Sequence, residues 1–531
     1  MKKFLALLLA LVMVLGLVAC GNEKPADTTA APAGDDTKAP ESTTAPAAAD
    51  LDPVTLTVWF HGSNVDENAS KKVMEEVNAY LGEKINVTLE PIWGTWGNFD
   101  EAVKTSIAAG GSDADIYFTC NWSGNEYNKC ARDGNWVKLD DMLDTYAPEL
   151  KAAIPQAIWD CAKTNGVDGL GIYAVPGLKD TATQNCWDVN ATLLKELGFE
   201  VPAKLDYFSD EFANMLKAAK EAKGKDFYPL LIEPAVLERM VTHSAIVTGD
   251  LNNANMLSFY YDAEHPAKDL GNKIVNKFST PEFKKFAEKT YEYAQAGYIS
   301  ESCMVAETAN DYRTQTQAKA EYLFGTQSYA FGCEKDYSAS RGIEVVMVPE
   351  TAAYMDATSG QGAMMAISAS CPNKERALMF LNLLNTDPAL MTMVNYGTEG
   401  FTYEKNDDGT VSFIKENRDL YTPWTNGVGN VRILPPTDAQ GVDFWPTFEA
   451  YYNAAEALPI GGFVFDNSVV ETEAGALASV ITEFSYNLCC GKMNPADETH
   501  GIDAFLAKME TAGAQKLVDA ANEQLAAYLG K

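Results

Sequence analysis

The first readable pattern along the chain is an alternation of short apolar runs with longer stretches of helical spacing. Leu56-Thr57-Val58-Trp59-Phe60 is a β-branched and aromatic run that stops at His61-Gly62-Ser63, which predicts a strand and a turn. A helix is expected next, with Val73, Val77 and Tyr80 on one side and Lys and Glu between them. Ile85 to Leu89 alternates as a strand and leads to the aromatic loop Trp93-Gly94-Thr95-Trp96-Gly97. The following helix ends at Gly110-Gly111, and the buried-type strand Ile116-Tyr117-Phe118 runs into Thr119-Cys120-Asn121-Trp122. Strand, helix, strand, helix, strand is the rhythm of a parallel, helix-covered α/β sheet. Ligands of such sheets bind beyond the carboxyl ends of the strands. His61, Trp93, Trp96, Asn121 and Trp122 all fall there.

The middle of the chain is more helical. Phe212 to Ala222 and Pro281 to Ala296 carry apolar residues at helical spacing, the second behind Ser279-Thr280 with proline in its first turn. Strands are expected at Val345 to Pro349 and Ala363 to Ile367, then helices over 373–385, 474–488 and 512–529. No repeat of fixed period is visible.

The N-terminus sets the compartment. Lys2 and Lys3 precede an apolar run, Phe4 to Val18, shorter than the roughly 20 residues that span a bilayer. It reads as a signal peptide over residues 1–19, ending in Leu17-Val18-Ala19-Cys20-Gly21, which resembles a lipobox. Cys20 is therefore the expected lipidated N-terminus, anchored to the outer face of the cell membrane. Residues 20–52, rich in Ala, Pro, Thr and Asp, have too little apolar surface to offset the entropy of ordering and are expected to form a tether. With 74 Asp+Glu against 41 Lys+Arg, the chain would repel nucleic acid, and a neutral ligand suits it better. Ten cysteines leave nine beside Cys20, none in a C-x-x-C, and they are expected to be mostly small buried apolar residues. The four histidines have no metal-ligand spacing, and no nucleotide-binding or nucleophile-elbow motif occurs, so neither metal nor cofactor is expected. Asn406 to Thr410, NDDGT, reads as a hairpin turn rather than a calcium loop.

The residues past the strands suit a sugar. Indole rings stack on the C–H faces of pyranoses, and Asn, Asp, Gln and Glu hydrogen-bond their hydroxyls. Candidate ligand residues are His61, Trp93, Trp96, Asn121, Trp122, Asn125, Trp187 and Asp188, with Trp424 and Asn426 in PWTNGVGN as a later contribution. Each has a plainer alternative: tryptophans also fill cores, Asn121 and Asn125 also cap helices, and His61 also serves as a structural hydrogen-bonding residue. Trp59, Trp136 and Trp159 read as core.

Four stretches resemble the extracellular solute-binding proteins of ABC importers, family 1, in the LipO-like lipoprotein subgroup with its distinctive C-terminal module. They are NAYLGEKINVT leading into PIWGTW; DIYFTCNWSGN followed by GNWVKLDDMLDTYAPELKAAIP and IYAVPG; MMAISASCPNKERALMFLNLLNTDP followed by NYGTEGF; and FVFDNSVVETEAGALASVITEF with AGAQKLVDAANEQLAAY. The chain departs from the subgroup at Asp100-Glu101, where a basic residue is usual, and at Ser468, where proline is usual. The resemblance implies an α/β, two-lobed, periplasmic-binding-protein-like fold, each lobe a sheet flanked by helices with the ligand cleft between. It implies crossings near Tyr173 to Gly177 and Val345 to Thr351. Lobe one would hold 53–175 plus 350–400, and lobe two 176–349 plus 401–531. It further implies a monomeric, non-enzymatic carrier of an oligosaccharide or other small polar solute, with importer permease subunits as partners. A secreted glycoside hydrolase or lyase is the competing class, since two well-placed carboxylates suffice for it; a surface adhesin is a third.

Overall fold

The structure is a computed structural model and describes residues 51–122, 126–247 and 256–530. Val54–Phe60 lies at the heart of the first sheet, in parallel register with Val87–Trp93 on one side and Ile116–Thr119 on the other. Met364–Ile367 then adds antiparallel to Ile116–Thr119, and Val175–Pro176 closes the edge. The parallel sheet expected from the sequence is thus extended by a strand from much later in the chain. The second strand starts at Val87 rather than Ile85, because the helix Glu67–Ile85 keeps Ile85 on the same buried face as Val73, Val77 and Leu81. Asn86 ends that helix in the left-handed region at φ 50°, its side chain donating to the Leu51 carbonyl at 2.8 Å.

The second sheet has the order Val345–Pro349, Asn185–Asn190, Phe324–Ser328, Leu230–Leu231. Asn185–Asn190 is antiparallel to both its neighbours, and all six of its residues are buried. The expected helices appear as Asp210–Lys223 and Pro281–Gln295, capped by the side chains of Ser209 and Thr280.

Two large hydrophobic cores result among the described residues, with a small third cluster of Cys186, Cys333, Val345 and Met347. The first gathers residues between Leu56 and Leu178 with others between Ala363 and Leu434. The second takes residues from Trp187 to Tyr354 and from Leu458 to Leu525. The expected lobe boundary is corrected here for residues 401–434: Tyr403, Val411, Tyr421, Val428, Val431 and Leu434 pack in the first core. Tyr421–Thr422 pairs with Asn64–Val65, and the Tyr421 hydroxyl donates to the Val394 carbonyl at 2.9 Å, which ties the segment to lobe one.

Three stretches of chain run between the cores side by side. Thr183 bridges Tyr354 by two backbone hydrogen bonds of 2.8 and 2.9 Å, and Tyr354–Met355 pairs in parallel with Glu456–Ala457. The paired crossing strands therefore lie just beyond the two positions that the resemblance implied, with a third at 456–457. Val175–Pro176 and Val345–Pro349 themselves still belong to their own sheets. The NDDGT turn joins the hairpin strands Tyr403–Lys405 and Val411–Phe413. The nine described cysteines are all buried and none is bridged. Among the described residues no single helix is long and apolar enough to cross a membrane.

Candidate functional site

The carboxyl ends of the three parallel strands converge on an aromatic patch built around His61. The imidazole is 3 % exposed and is edged by Phe99 at 4.3 Å, Trp96 at 4.5 Å, Phe118 at 4.9 Å, Trp424 at 5.5 Å and Trp122 at 5.7 Å, centroid to centroid. Its Nδ1 is buried without a hydrogen-bond partner among the described residues. Burial among these rings lowers its pKa to about 4, against a smaller upward pull from Asp100 at the start of the helix Phe99–Ala108. His61 is thus a neutral ring that braces the tryptophans from behind.

Trp96 and Trp122 face outward. Their rings stand 6.1 Å apart at 22°, and the side chains are 58 % and 37 % exposed. Trp122 is fixed by its indole N–H, which donates to the Gly362 carbonyl at 2.7 Å. Trp96 lies so close over Gly62 that a Cβ there would meet its ring at 2.9 Å, and Gly62 has φ +69°. Trp424 comes from the far end of the lobe and meets Trp96 edge-on at 4.9 Å.

Beside Trp122 opens a cavity of about 180 Å³ with walls from both cores. Lobe one supplies Asn121 and Trp122, the crossing segment supplies Asp356 and Thr358, and the second core supplies Asn185, Arg239, Ser244 and Ser328. Asn121 donates across it to the Thr358 hydroxyl at 3.4 Å. Burial pushes the Asp356 carboxyl up, while hydrogen bonds from Thr358 and Ser359 and the nearby Arg239 pull it back. The arrangement offers two exposed indole faces beside amide, hydroxyl, carboxylate and guanidinium groups, the combination that a polyhydroxylated ring requires. Among the described residues no group of three or more His, Cys, Asp or Glu is placed to hold a metal ion.

The structure brings His61, Trp96, Asn121, Trp122 and Trp424 together and separates the other candidates. Trp187 and Asp188 are 0 % exposed and belong inside the second lobe, a correction to the sequence reading. The physical reason is the central position of their strand: Trp187 stacks on Tyr207 and donates to Glu350 at 2.8 Å, and Asp188 pairs with Arg341 at 2.7 Å. Trp93 is also turned away, stacked on Phe60 at 4.8 Å with its N–H donating to Ser70 at 2.9 Å. Asn426 is exposed, but it lines a different cavity. Asn125 and Cys20 lie outside the described residues. Trp136 and Trp159 are buried as expected, and Trp59 is half-buried against the first core. The sequence reading missed Asn185, Arg239, Ser244, Ser328 and Asp356. None of them lay in a stretch whose local pattern singled it out as a ligand residue.

Over 463 residues the chain is 26 % identical to a carbohydrate ABC transporter substrate-binding protein of Streptococcus pneumoniae, covering 86 % of each chain. The chain is a homologue of ABC-transporter substrate-binding proteins. It is also 24 % identical over 373 residues to lipoprotein LipO of Bacillus subtilis, covering 67 % of this chain and 68 % of that one. Residues 459–530 match a family described as a domain of unknown function, DUF3502. The crystal structure of the N-glycan transport solute binding protein NgtS of S. pneumoniae superposes with a TM-score of 0.74 at 22 % identity, over 90 % of this chain and all of that one. An extracellular solute-binding protein from Bifidobacterium longum subsp. infantis gives 0.63 at 17 % identity, over 91 % of this chain and all of that one. The fold of this chain is accordingly the two-lobed one of the solute-binding proteins.

Proposed function

We propose that this chain captures an oligosaccharide outside the cell by closing its two lobes on it, and presents the closed complex to the permease subunits of an ABC importer. The observation that carries the reading is the pair of outward-facing indoles, Trp96 and Trp122, beside a polar cavity walled by both lobes. Homology to a carbohydrate substrate-binding protein over most of the chain supports it. So does likeness to NgtS, whose structures include complexes with Man1GlcNAc and Man5GlcNAc. The reading makes the protein a carrier rather than an enzyme, attached to the membrane through lipidated Cys20 and acting as a monomer. Calorimetry against a panel of oligosaccharides, with chromatography of the recovered sugar, tests it. Saturable one-to-one binding that returns the sugar intact is expected; steady release of shorter sugars would instead make this a hydrolase or lyase. Mass spectrometry of the protein from its own membrane should find two or three acyl chains on Cys20.

A further inference from the structure

Among the described residues that line the cavity beside Trp122, one carries a positive charge, and that charge is unspent. Arg239 is half-buried on the helix Pro234–Thr242 and forms part of the cavity wall. Its side chain makes no hydrogen bond and no ion pair with any described residue. None of its guanidinium nitrogens is sealed from solvent, so its five N–H donors stay open to a ligand.

The carboxylates around it are engaged elsewhere. Glu238, one residue earlier, turns into the second core and pairs with Lys277 at 2.6 Å, both almost wholly buried. Glu233, at the start of the helix, lies 3.7 Å from Arg313. Asp356, the carboxylate of the cavity, accepts the Thr358 amide at 2.9 Å and caps the helix Ala357–Gln361. A guanidinium without a counter-ion in a cleft that closes on its cargo gives up water and gains no partner. A ligand carboxylate supplies one, because its two oxygens match the planar fork of arginine in a bidentate pair. The hydroxyls of a neutral sugar would accept from the same donors and leave the charge uncompensated.

We infer that the cargo is an acidic oligosaccharide, bearing a uronate or sialate carboxylate, and that Arg239 selects it by pairing with that group. This rests on the carbohydrate reading above and narrows its substrate class. It departs from the neutral ligand expected from the overall charge of −33. Repulsion from distant surface acids is screened beyond about 10 Å at ordinary ionic strength, whereas the contact with Arg239 is direct. Asn121, Asn185, Ser244 and Ser328 are left for the hydroxyls, and Trp122 for a ring face.

The test is calorimetry on the full mature chain with two pairs of sugars that differ in a carboxylate. One pair is a galacturonic acid trimer and the galactose trimer of the same linkage; the other is sialyllactose and lactose. Man5GlcNAc is the neutral control. The wild type should bind the acidic member of at least one pair about tenfold or more tighter than its neutral partner, as a charge-assisted pair predicts. The pair that shows the preference tells a uronate from a sialate. Arg239→Gln should erase the preference, hold the neutral members within about twofold, and leave the melting temperature almost unchanged, since the side chain has no partner to lose. Arg239→Lys, which keeps the charge without the fork, should retain part of the preference. Neutral members bound as tightly as acidic ones, binding of Man5GlcNAc alone, or a preference that survives Arg239→Gln would overturn the inference and leave the carbohydrate reading intact. Failure of the wild type to bind any of the five sugars would count against the carbohydrate reading itself, and the acidic class would fall with it.

Discussion

His61 shows how one residue ties stability to the site. Its ring is neutral because burial holds its pKa near 4. In the unfolded chain it would titrate near 6.5, so the unfolded state takes up the proton first as the solution is acidified. Its contribution is complete above about pH 6.5 and is lost progressively towards pH 4, up to roughly 3 kcal/mol at about 1.4 kcal/mol per pH unit. His61→Phe should therefore flatten the fall in melting temperature between pH 6.5 and 4, as read by scanning calorimetry. Trp96→Ala should lower sugar affinity by about tenfold with a melting temperature almost unchanged, because the exposed ring contributes little to the core. Asp188→Ala makes the opposite case. Breaking a buried ion pair on one side costs about 3–5 kcal/mol, so the protein should melt far earlier while its folded fraction binds sugar with wild-type affinity. Reduced affinity with undisturbed melting would put Asp188 back in the binding site.

Among elements, the C-terminal module gives the sharpest expectation. Residues 459–530 insert Leu477, Phe484, Leu488, Phe505 and Leu517 into the second core, so they are structural to lobe two. A chain ending at 458 should lose the cooperative unfolding of lobe two and the near-ultraviolet dichroism of buried Trp187. The module also touches lobe one. A Cβ at Gly462 would lie 2.4 Å from the Cys161 carbonyl oxygen, Arg132 sits 3.5 Å from Asp466, and the Tyr528 hydroxyl is 3.5 Å from the Asp160 carbonyl. Gly462→Val should thus push the lobes apart, seen as a larger radius of gyration in X-ray scattering of the ligand-free protein. Of the elements that bear these contacts, the C-terminal helix carrying Tyr528 was legible from its apolar spacing, whereas the short helices Tyr127–Arg132 and Gln156–Ala162 were not. Nor was the chain segment 401–434, because its short strands and turns carry no label saying which core they join.

For the whole molecule, capture by closure requires that scattering curves contract when the right oligosaccharide is added, and that Trp122→Ala abolish the contraction at the same sugar concentration. The amino-acid pattern by itself determined the alternating strands and helices, the aromatic residues past the first three strands, the acidic surface and the cysteines without bridges. It did so because periodicity, turn residues and charge act over a few positions at a time. Only the tertiary structure decided which tryptophans face outward. Trp122 and Trp187 both belong to short apolar runs with polar neighbours, yet one lies in the loop just past the strand Ile116–Thr119 and the other within a strand whose residues are all buried. Burial is a property of what a distant part of the chain places on top of a residue. For Trp187 the cover includes Tyr207 and Phe212, and for the cavity the far wall is Arg239, Ser244 and Ser328. No local pattern encodes that meeting, because it depends on two cores and three crossing strands forming together.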